Sequence, residues 1–313
     1  GTALDFLEQG ETLTLTYTIK ATDSSSAYAT TTVTIAIDGS NDAPVVTSIT
    51  SGTIVDAANT SNSQTGGTET GLSGTISATD ADTATLTYGI QNVTASNGAT
   101  TKIGTYGTLT VNTSTGAYTY TPNSENIDKL KASTTASDIF TITVFDGYVT
   151  STKTYTVNIT GANDSVILSD TTNPTTINES TDASAQDISA ISGTFAVAET
   201  DTGDTLTTSL VGDPIVKLNG TVITTGFPSG LISNGVFTIS PSAQTSVNGT
   251  ETPITWTYNP GAVNLDFLDY NDVLTITYQV KVNDGTTDSA TQDVTIAFQG
   301  TNDAPVIYSL LRS

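Results

Sequence analysis

The 313-residue sequence contains no cysteine, no histidine and no methionine. Without cysteine, disulfides cannot stabilise the fold, so an extracellular chain of this kind would need another source of stability, of which a bound metal is one. Without cysteine and histidine, the common thiol nucleophiles and general bases are missing. No Gly-x-Ser-x-Gly elbow and no phosphate-binding glycine-rich loop occur either. The sequence therefore predicts a protein that is not an enzyme.

Basic residues are also scarce, because 8 Lys and Arg stand against 31 Asp and Glu, a formal net charge of −23. Phosphate binding needs clustered cations, so the balance argues against nucleic acid and anionic membranes as partners. No apolar run approaches the length of a membrane span. The acidic excess favours either solubility in salty water or the binding of divalent cations.

Threonine and valine alternate along much of the chain, a pattern that favours strands and disfavours helices. Clear alternating runs are Thr12 to Lys20, Phe140 to Phe145 and Leu274 to Val282. Such runs are bounded by Gly, Asn, Asp or Pro, and about seven strands per 120 residues are typical of an antiparallel sandwich. The sequence predicts an all-β fold built from β-sandwich domains.

The chain repeats itself at the spacing of whole domains. Residues 33–46 read VTIAIDGSNDAPVV, residues 155–168 read YTVNITGANDSVIL, and residues 294–307 read VTIAFQGTNDAPVI. The Asn-Asp pairs begin at Asn41, Asn163 and Asn302, so they are 122 and 139 residues apart. Periods of this length indicate sandwich domains rather than the coils of a solenoid.

A second similarity, 261 residues apart, relates LDFLEQGETLTLTYTIKATD at residue 4 to LDFLDYNDVLTITYQVKVND at residue 265. The chain is therefore expected to begin midway through a domain and to be an excerpt from a longer protein. We predict the C-terminal half of a domain in residues 1–44 and complete domains in residues 45–165 and 166–305. Residues 306–313 are predicted to be the start of the next linker or a tail.

Acidic residues recur in two kinds of turn, an acid-x-acid turn before one strand and an Asp-Gly turn between two others. Strand ends of one parity gather at one pole of a sandwich, so both turns are expected to face the Asn-Asp linker. The predicted groups are Asn41, Asp42, Asp80, Asp82 and Asp146; then Asn163, Asp164, Glu199, Asp201 and Asp284; and a third linker pair, Asn302 and Asp303.

Carboxylates that converge in this way repel one another, at a cost of about 4 kcal/mol for a pair about 4 Å apart at an effective dielectric of about 20. A calcium ion with six to eight oxygen ligands removes this cost. Magnesium demands tighter octahedral geometry, and zinc favours the missing histidine and cysteine. A single Asp is better explained as a turn residue, but the repeated groups predict Ca²⁺ as a cofactor.

Three motifs in order resemble a cadherin repeat: A-T-D-A-D…Y in residues 78–88, V-x-D-G in residues 144–147, and N-D-x-P. In that family these acids and the linker Asn-Asp bind interdomain calcium. The resemblance implies tandem Greek-key β-sandwich domains of the cadherin and immunoglobulin kind, arranged end to end. Asp56 and Glu179 are placed where the family has an early acid. The middle linker departs from the pattern, because Val166 stands where the other linkers have proline.

GAYTYTPNSENIDKL at residues 116–130 and GTNDAPV at residues 300–306 are similar to VCBS repeats of very large bacterial adhesins. The resemblance implies a secreted cell-surface protein in cell adhesion and biofilm, in which this region is a calcium-rigidified spacer. Its partners would be neighbouring domains of the same long chain and a host or matrix glycan or protein.

Two other functions stay open on the sequence. One is a carbohydrate- or ligand-binding module with Val211 to Val247 as its binding loops. The other is a subunit of a self-associating surface filament, in which residues 1–44 are completed by another chain. Trp256, Tyr118 and Tyr120 could form a sugar-binding platform, but their places on strands beside turns favour the core.

Overall fold

A computed structural model of the chain describes residues 4–58, 68–83, 85–170, 176–181, 186–246 and 249–304. The predicted linker or tail at 306–313 lies outside these residues. The chain forms two compact units, the first of residues 1–56, 68–127 and 135–160 and the second of residues 57–67, 128–134 and 161–313. Strands dominate both units, which confirms the predicted all-β fold. The domain boundaries at residues 44, 165 and 305 stay a prediction.

Twelve strands and one helical turn are described in the first unit. They are β1 (Thr12–Thr22), β2 (Tyr28–Asp38), β3 (Val45–Ser48), β4 (Gly52–Val55), β5 (Leu72–Thr75), β6 (Ser77–Thr79), β7 (Thr87–Ile90), β8 (Ala99–Ile103), β9 (Gly107–Asn112), β10 (Ala117–Pro122), α1 (Ser124–Ile127), β11 (Thr135–Phe145) and β12 (Thr150–Thr160).

Two four-stranded sheets, ordered β5-β10-β9-β8 and β4-β12-β11-β7, form the body of the first unit. Period-two alternation buries every second side chain of β11 and leaves its threonines on the other face. Aromatic pairs join the two sheets, with ring centroids 5.1 Å apart for Tyr118 and Tyr155 and 6.1 Å for Tyr120 and Phe140. Tyr118 and Tyr120 are therefore core residues, and the unit is a β-sandwich.

Strands β1 and β2 pair antiparallel along their full length, from Thr12 opposite Asp38 to Thr22 opposite Tyr28. Their apolar side chains are exposed; Tyr17 and Ile35, for example, are 55% and 46% exposed. The residues 261 positions later, Tyr278 and Ile296, are buried. The same sequence pattern therefore has a buried apolar face in the second unit and an exposed apolar face in the first.

Thirteen strands are described in the second unit, together with a 3₁₀ turn at Ser229–Leu231. They are β13 (Ile167–Asp170), β14 (Ile177–Asn178), β15 (Gln186–Ile188), β16 (Ile191–Ala198), β17 (Thr205–Leu210), β18 (Ile215–Leu218), β19 (Thr221–Val222), β20 (Phe237–Ser240), β21 (Ala243–Thr245), β22 (Thr252–Tyr258), β23 (Gly261–Val263), β24 (Val273–Asn283) and β25 (Gln292–Gln299).

The second unit is again a sandwich, of the sheet β13-β16-β22-β20 and a larger sheet ordered β14-β25-β24-β17-β21, with β18 also paired to β24. Phe237 on the first sheet stacks on Tyr278 of the second, with ring centroids 4.3 Å apart, and on Trp256 at 5.8 Å. Trp256 is fully buried, in agreement with its assignment to the core. Residues 211–246, which include most of the binding loops considered above, contain four short strands and a 3₁₀ turn joined by loops.

Candidate metal centres

The first linker docks on the two acidic turns of the first unit. The backbone N–H of Asp42 donates to Asp82 Oδ2 at 3.0 Å, and Asn41 Nδ2 donates to Asp146 Oδ2 at 3.0 Å. These contacts span 40 and 105 residues of sequence. The structure therefore brings the acid-x-acid turn and the Asp-Gly turn to one place, beside the linker.

Each turn holds its carboxylate by local hydrogen bonds. Asp80 follows β6, and its Oδ1 accepts from the backbone N–H groups of Asp82 at 3.1 Å and Thr83 at 3.0 Å. Asp146 follows β11, and its Oδ1 accepts from Tyr148 and Val149 in the same manner, at 2.6 and 2.7 Å. In both turns one carboxylate oxygen closes the turn and the other is left for a second partner.

The second linker makes the same contacts within the second unit. The backbone N–H of Asp164 donates to Asp201 Oδ2 at 2.8 Å, and Asn163 Nδ2 donates to Asp284 Oδ2 at 3.1 Å. Glu199 Oε1 accepts from the backbone N–H of Asp201 at 3.2 Å, so glutamate replaces aspartate in the turn without loss of this bond. The two centres share one construction.

Glycine provides the backbone conformation of the Asp-Gly turns. Gly147 and Gly285 have φ of +113° and +100°, a conformation that side chains with a Cβ rarely adopt. This backbone directs the next two N–H groups back to the aspartate, as in the bonds of 2.7 and 2.6 Å from Thr286 and Thr287 to Asp284 Oδ1. The Asp-Gly pair therefore fixes the carboxylate that the linker asparagine reaches.

The second centre is more deeply buried than the first. Glu199, Asp201 and Asp164 are 2%, 0% and 1% exposed, whereas Asp80 and Asp82 are only partly buried. Burial, together with the nearby charges of Asp201 and Asp284, raises the pKa of Glu199 to about 8. Burial also raises the pKa of Asp80, together with its contact to Asp82. Ionisation of these carboxylates therefore has a desolvation cost at both turns.

The Asp-Gly carboxylates differ, because their hydrogen bonds outweigh burial. Burial alone would raise the pKa of Asp146, but donors from Val149, Asn41 and Tyr148 lower it overall. The pKa of Asp284 is lowered in the same way, against burial, by the donors of Thr287, Asn163 and Thr286. The first centre thus combines the lowered pKa of Asp146 with the raised pKa of Asp80. The second combines the lowered pKa of Asp284 with the raised pKa of Glu199.

Several oxygens in these centres are buried without a hydrogen-bond partner among the described residues. They are Asp80 Oδ2 and Asp82 Oδ1 in the first centre, and Asn163 Oδ1 and Glu199 Oε2 in the second. A buried oxygen without a donor or cation is costly. Carboxylate and amide oxygens are the donor set that calcium prefers, and neither centre contains a nitrogen or sulfur ligand. The donor set therefore fits Ca²⁺.

A third acidic group lies in the second unit, where ligand oxygens of Glu179, Asp266 and Asp303 lie within 4.8 Å of one another. Glu179 Oε1 and Asp303 Oδ1 are buried and have no hydrogen-bond partner in the described part of the chain. Burial raises the pKa of Glu179, and the charges of Asp303 and Asp266 contribute to the rise. Asn302 is not brought to these acids by any described bond; its amide donates to Asp303 O at 3.1 Å.

Asp266 is a candidate ligand that the sequence reasoning missed. Its signal is the repeated Leu-Asp-Phe, which places Asp5 and Asp266 at equivalent positions. The sequence identifies Glu179 only as an early acid of the domain. Its backbone N–H donates to Gln299 O at 2.9 Å, as that of Asp56 does to Thr160 O at the same distance. Both early acids thus end a short strand that is parallel to the last strand of its sandwich.

Residues 41–161 match the family model described as "Bacterial cadherin-like domain". This part of the chain is similar to that family. The match begins at Asn41 and includes Asp80, Asp82 and Asp146. Residues 162–313 lie outside it, yet Asn163 and Asp164 repeat the two linker contacts of the first unit. The same arrangement of linker and acidic turns is therefore present in both units.

No curated protein sequence matches the chain. Among solved structures, it is similar to protocadherin gamma B2 extracellular cadherin domains 1–5, with 15% identity, a TM-score of 0.38, and coverage of 94% of this chain and 46% of that one. Human protocadherin-24 EC1-2 is similar at 17% identity, with a TM-score of 0.33 and coverage of 84% and 100%. The chain spans 46% and 57% of the first two structures it matches. In its described residues, no helix has the length and hydropathy for a bilayer span.

Proposed function

We propose that this chain is a calcium-rigidified structural and adhesive region of a secreted bacterial surface adhesin. The observation that carries the proposal is the duplicated docking of an Asn-Asp linker on an acid-x-acid turn and an Asp-Gly turn. The cadherin-like match of residues 41–161 supports an adhesive or structural role. Placement at a bacterial surface rests on the similarity of GTNDAPV to VCBS repeats.

The proposed ligands come from three places in the chain. The linkers contribute their Asn-Asp pairs, the turns contribute their carboxylates, and the third group adds two acids beside its linker. They are Asn41, Asp42, Asp80, Asp82 and Asp146; Asn163, Asp164, Glu199, Asp201 and Asp284; and Glu179, Asp266, Asn302 and Asp303.

The protein's own backbone and side-chain groups position the proposed ligands. Backbone and amide donors of the linker hold Asp82, Asp146, Asp201 and Asp284 in place. The remaining acids are held close together despite repulsion and desolvation. Bound calcium would supply positive charge that compensates both costs, so its binding free energy becomes stability of the linker and turns.

A rigid linker is the consequence that matters for function. Residues 163–166 lack the proline found in the other two linkers, so backbone restriction there depends on contacts rather than on a fixed φ. Calcium would therefore stiffen this linker the most. A cell-surface spacer with sites of micromolar to millimolar affinity, as in extracellular modules, would be extended in the medium and soft without calcium.

Thermal unfolding with calcium and with a chelator tests the proposal. We expect chelation to lower the melting temperature of the parent by several degrees and the double variant Asp80→Asn, Asp82→Asn to lose most of the shift of the first unit. The matched control is Asp213→Asn, Glu251→Gln, which removes two charges from exposed positions. Equal melting curves of the parent in both conditions would end the proposal, and a normal shift in the double variant would reject the ligands.

A further inference from the structure

A groove of about 480 Å³ lies in the first unit, at strands β7, β11 and β12. Its floor is on the outer face of the sheet, because the alternate residues Ile90, Ile142 and Val144 are buried on the inner face. Register places two rows of side chains across the three strands. The rows are Thr87, Phe145 and Thr150, and Gly89, Thr143 and Thr152.

Two residues give the groove its shape. Gly89 leaves space in the second row, since a Cβ at this position would lie 3.0 Å from Thr143 Oγ1. Phe145 lies on the central strand of the first row and is 39% exposed, between two threonines. An aromatic ring on the outer face of a sheet, flanked by hydroxyl groups, offers an apolar surface with hydrogen-bonding edges.

The chemistry of the groove is neutral. No described residue that lines it is charged, although the chain has 31 acidic residues. Hydroxyl groups of threonine and the amides of Gln91 and Asn92 supply the polar surface. Thr100 lines the same groove and is buried, and its Oγ1 has no hydrogen-bond partner among the described residues. Cations and anions find no counter-charge here, whereas a neutral polyhydroxyl ligand finds donors, acceptors and an apolar floor.

The second unit provides an internal comparison. Thr143 lies opposite Gly89 on the neighbouring strand, and Lys281 lies opposite Ser209 at the equivalent place. Lys281 Nζ is 2.7 Å from Asp288 Oδ2, so an ion pair stands where the first unit has its groove. The groove is therefore a property of the first sequence and not of the sandwich fold itself.

We propose that this groove binds a neutral oligosaccharide, with Phe145 against a sugar ring and with Thr100 and Thr143 as hydrogen-bond partners. The ligand class follows from the uncharged lining, the aromatic floor and the unpaired buried hydroxyl. This function is additional to the calcium centres and is independent of them. The residues 211–247 take no part in it.

Calorimetric titration of the whole chain with neutral hexasaccharides of glucose, mannose, galactose and xylose, beside hexagalacturonate as an acidic probe, tests the proposal. We expect at least one neutral probe to bind at micromolar to millimolar concentration. Thr143→Lys introduces the side chain that the second unit has at this place, and Phe145→Ala removes the floor; each is expected to weaken binding at least tenfold. Thr119→Lys, the same substitution at an exposed position of the other sheet, is expected to leave binding unchanged.

Three outcomes would overturn the proposal. They are no binding of any neutral hexasaccharide at millimolar concentration, binding of hexagalacturonate alone, and binding that survives both groove variants. An unchanged melting temperature of Thr143→Lys shows that any loss of binding is not a loss of folding. Retention of binding after chelation is expected as well, since no predicted calcium ligand lines the groove.

Discussion

The side-chain amide of Asn163 donates a hydrogen bond of 3.1 Å to the carboxylate of Asp284, 121 residues later in the chain. Asn41 makes the equivalent bond of 3.0 Å to Asp146. In both units the bond joins the start of the sandwich to the Asp-Gly turn between its last two long strands. It also helps to keep the pKa of the aspartate low, so the linker stabilises a charge that a cation can use.

Replacement of this amide by a carboxylate gives the first prediction. In Asn163→Asp the donor is lost and a second negative charge faces Asp284. The free energy of unfolding in chelator should fall by about 2 kcal/mol or more, since a partly buried hydrogen bond is broken and like charges meet. Calcium should recover a large part of the loss. Denaturant unfolding with and without calcium measures both, and Asn234→Asp at an exposed position is the control. An equal loss in both conditions would contradict the role of Asn163 beside a cation.

Glu199 gives a prediction on pH. Its folded pKa is raised from 4.5 to about 8, chiefly by burial. The stability linked to its protonation is therefore present below pH 4.5 and is lost as the pH rises through about 8. In chelator, the melting temperature of the parent should fall from about pH 5 to about pH 8, and that of Glu199→Gln should change less over this range. The lowered pKa values of Asp146 and Asp284 lie outside this window.

At high pH, calcium should reverse the order of the melting temperatures of the parent and Glu199→Gln. The parent should then be the more stable one, because the glutamine has no charge to offer the cation. Melting curves at several pH values, each recorded with calcium and with chelator, decide the matter. Parallel pH profiles of parent and variant in chelator would show that Glu199 does not titrate in this range.

The linker and the turns could be predicted from the sequence because each has a local signal. Asp-Gly after an alternating strand marks a turn, and Asp-x-Asp before a strand marks another. Recurrence at domain spacing then places Asp82 and Asp146 at one pole. These inferences need only strand parity, which the alternation of threonine with apolar residues defines well.

Other features depend on long-range packing that no local pattern encodes. Asp266 lies between two strands in a turn with Asn264, and only the fold shows that its carboxylate lies near Glu179. The deep burial of Glu199, in contrast to the partial exposure of Asp80, also follows from neighbours that are distant in sequence. The groove around Phe145 depends on the register of three strands. An alternating run predicts on which face of the sheet a side chain lies, but not which residue is its cross-strand partner.

Asp266 itself gives a prediction on stoichiometry. If the third acidic group binds calcium, Asp266→Asn should remove one class of site in a calcium titration and leave the binding to the other centres unchanged. Its melting temperature in chelator should stay equal or rise, since one of three close negative charges is removed. Asp269→Asn, three residues away and outside the group, is the control. Unchanged stoichiometry in Asp266→Asn would leave the third group as an acidic patch only.

Asp138 is predicted to stabilise the first unit through hydrogen bonds that do not involve calcium. This buried carboxylate accepts from the backbone N–H groups of Thr105 at 2.8 Å and Tyr106 at 3.0 Å and from the hydroxyl of Tyr120 at 2.7 Å. Gly104 lies against it, because a Cβ there would be 2.2 Å from Asp138 Oδ2.

Gly104→Ala must therefore displace the carboxylate or the loop. We expect a loss of about 2 kcal/mol or more, as for other changes that break a buried hydrogen-bond network. Thr105→Ala should have little effect, since only the backbone of Thr105 makes the described bonds to the carboxylate. The loss should be equal in calcium and in chelator, because every partner of Asp138 is a protein donor. Denaturant unfolding in both conditions measures the loss of stability. Recovery by calcium would show that the hydrogen bonds of Asp138 are coupled to the metal centre.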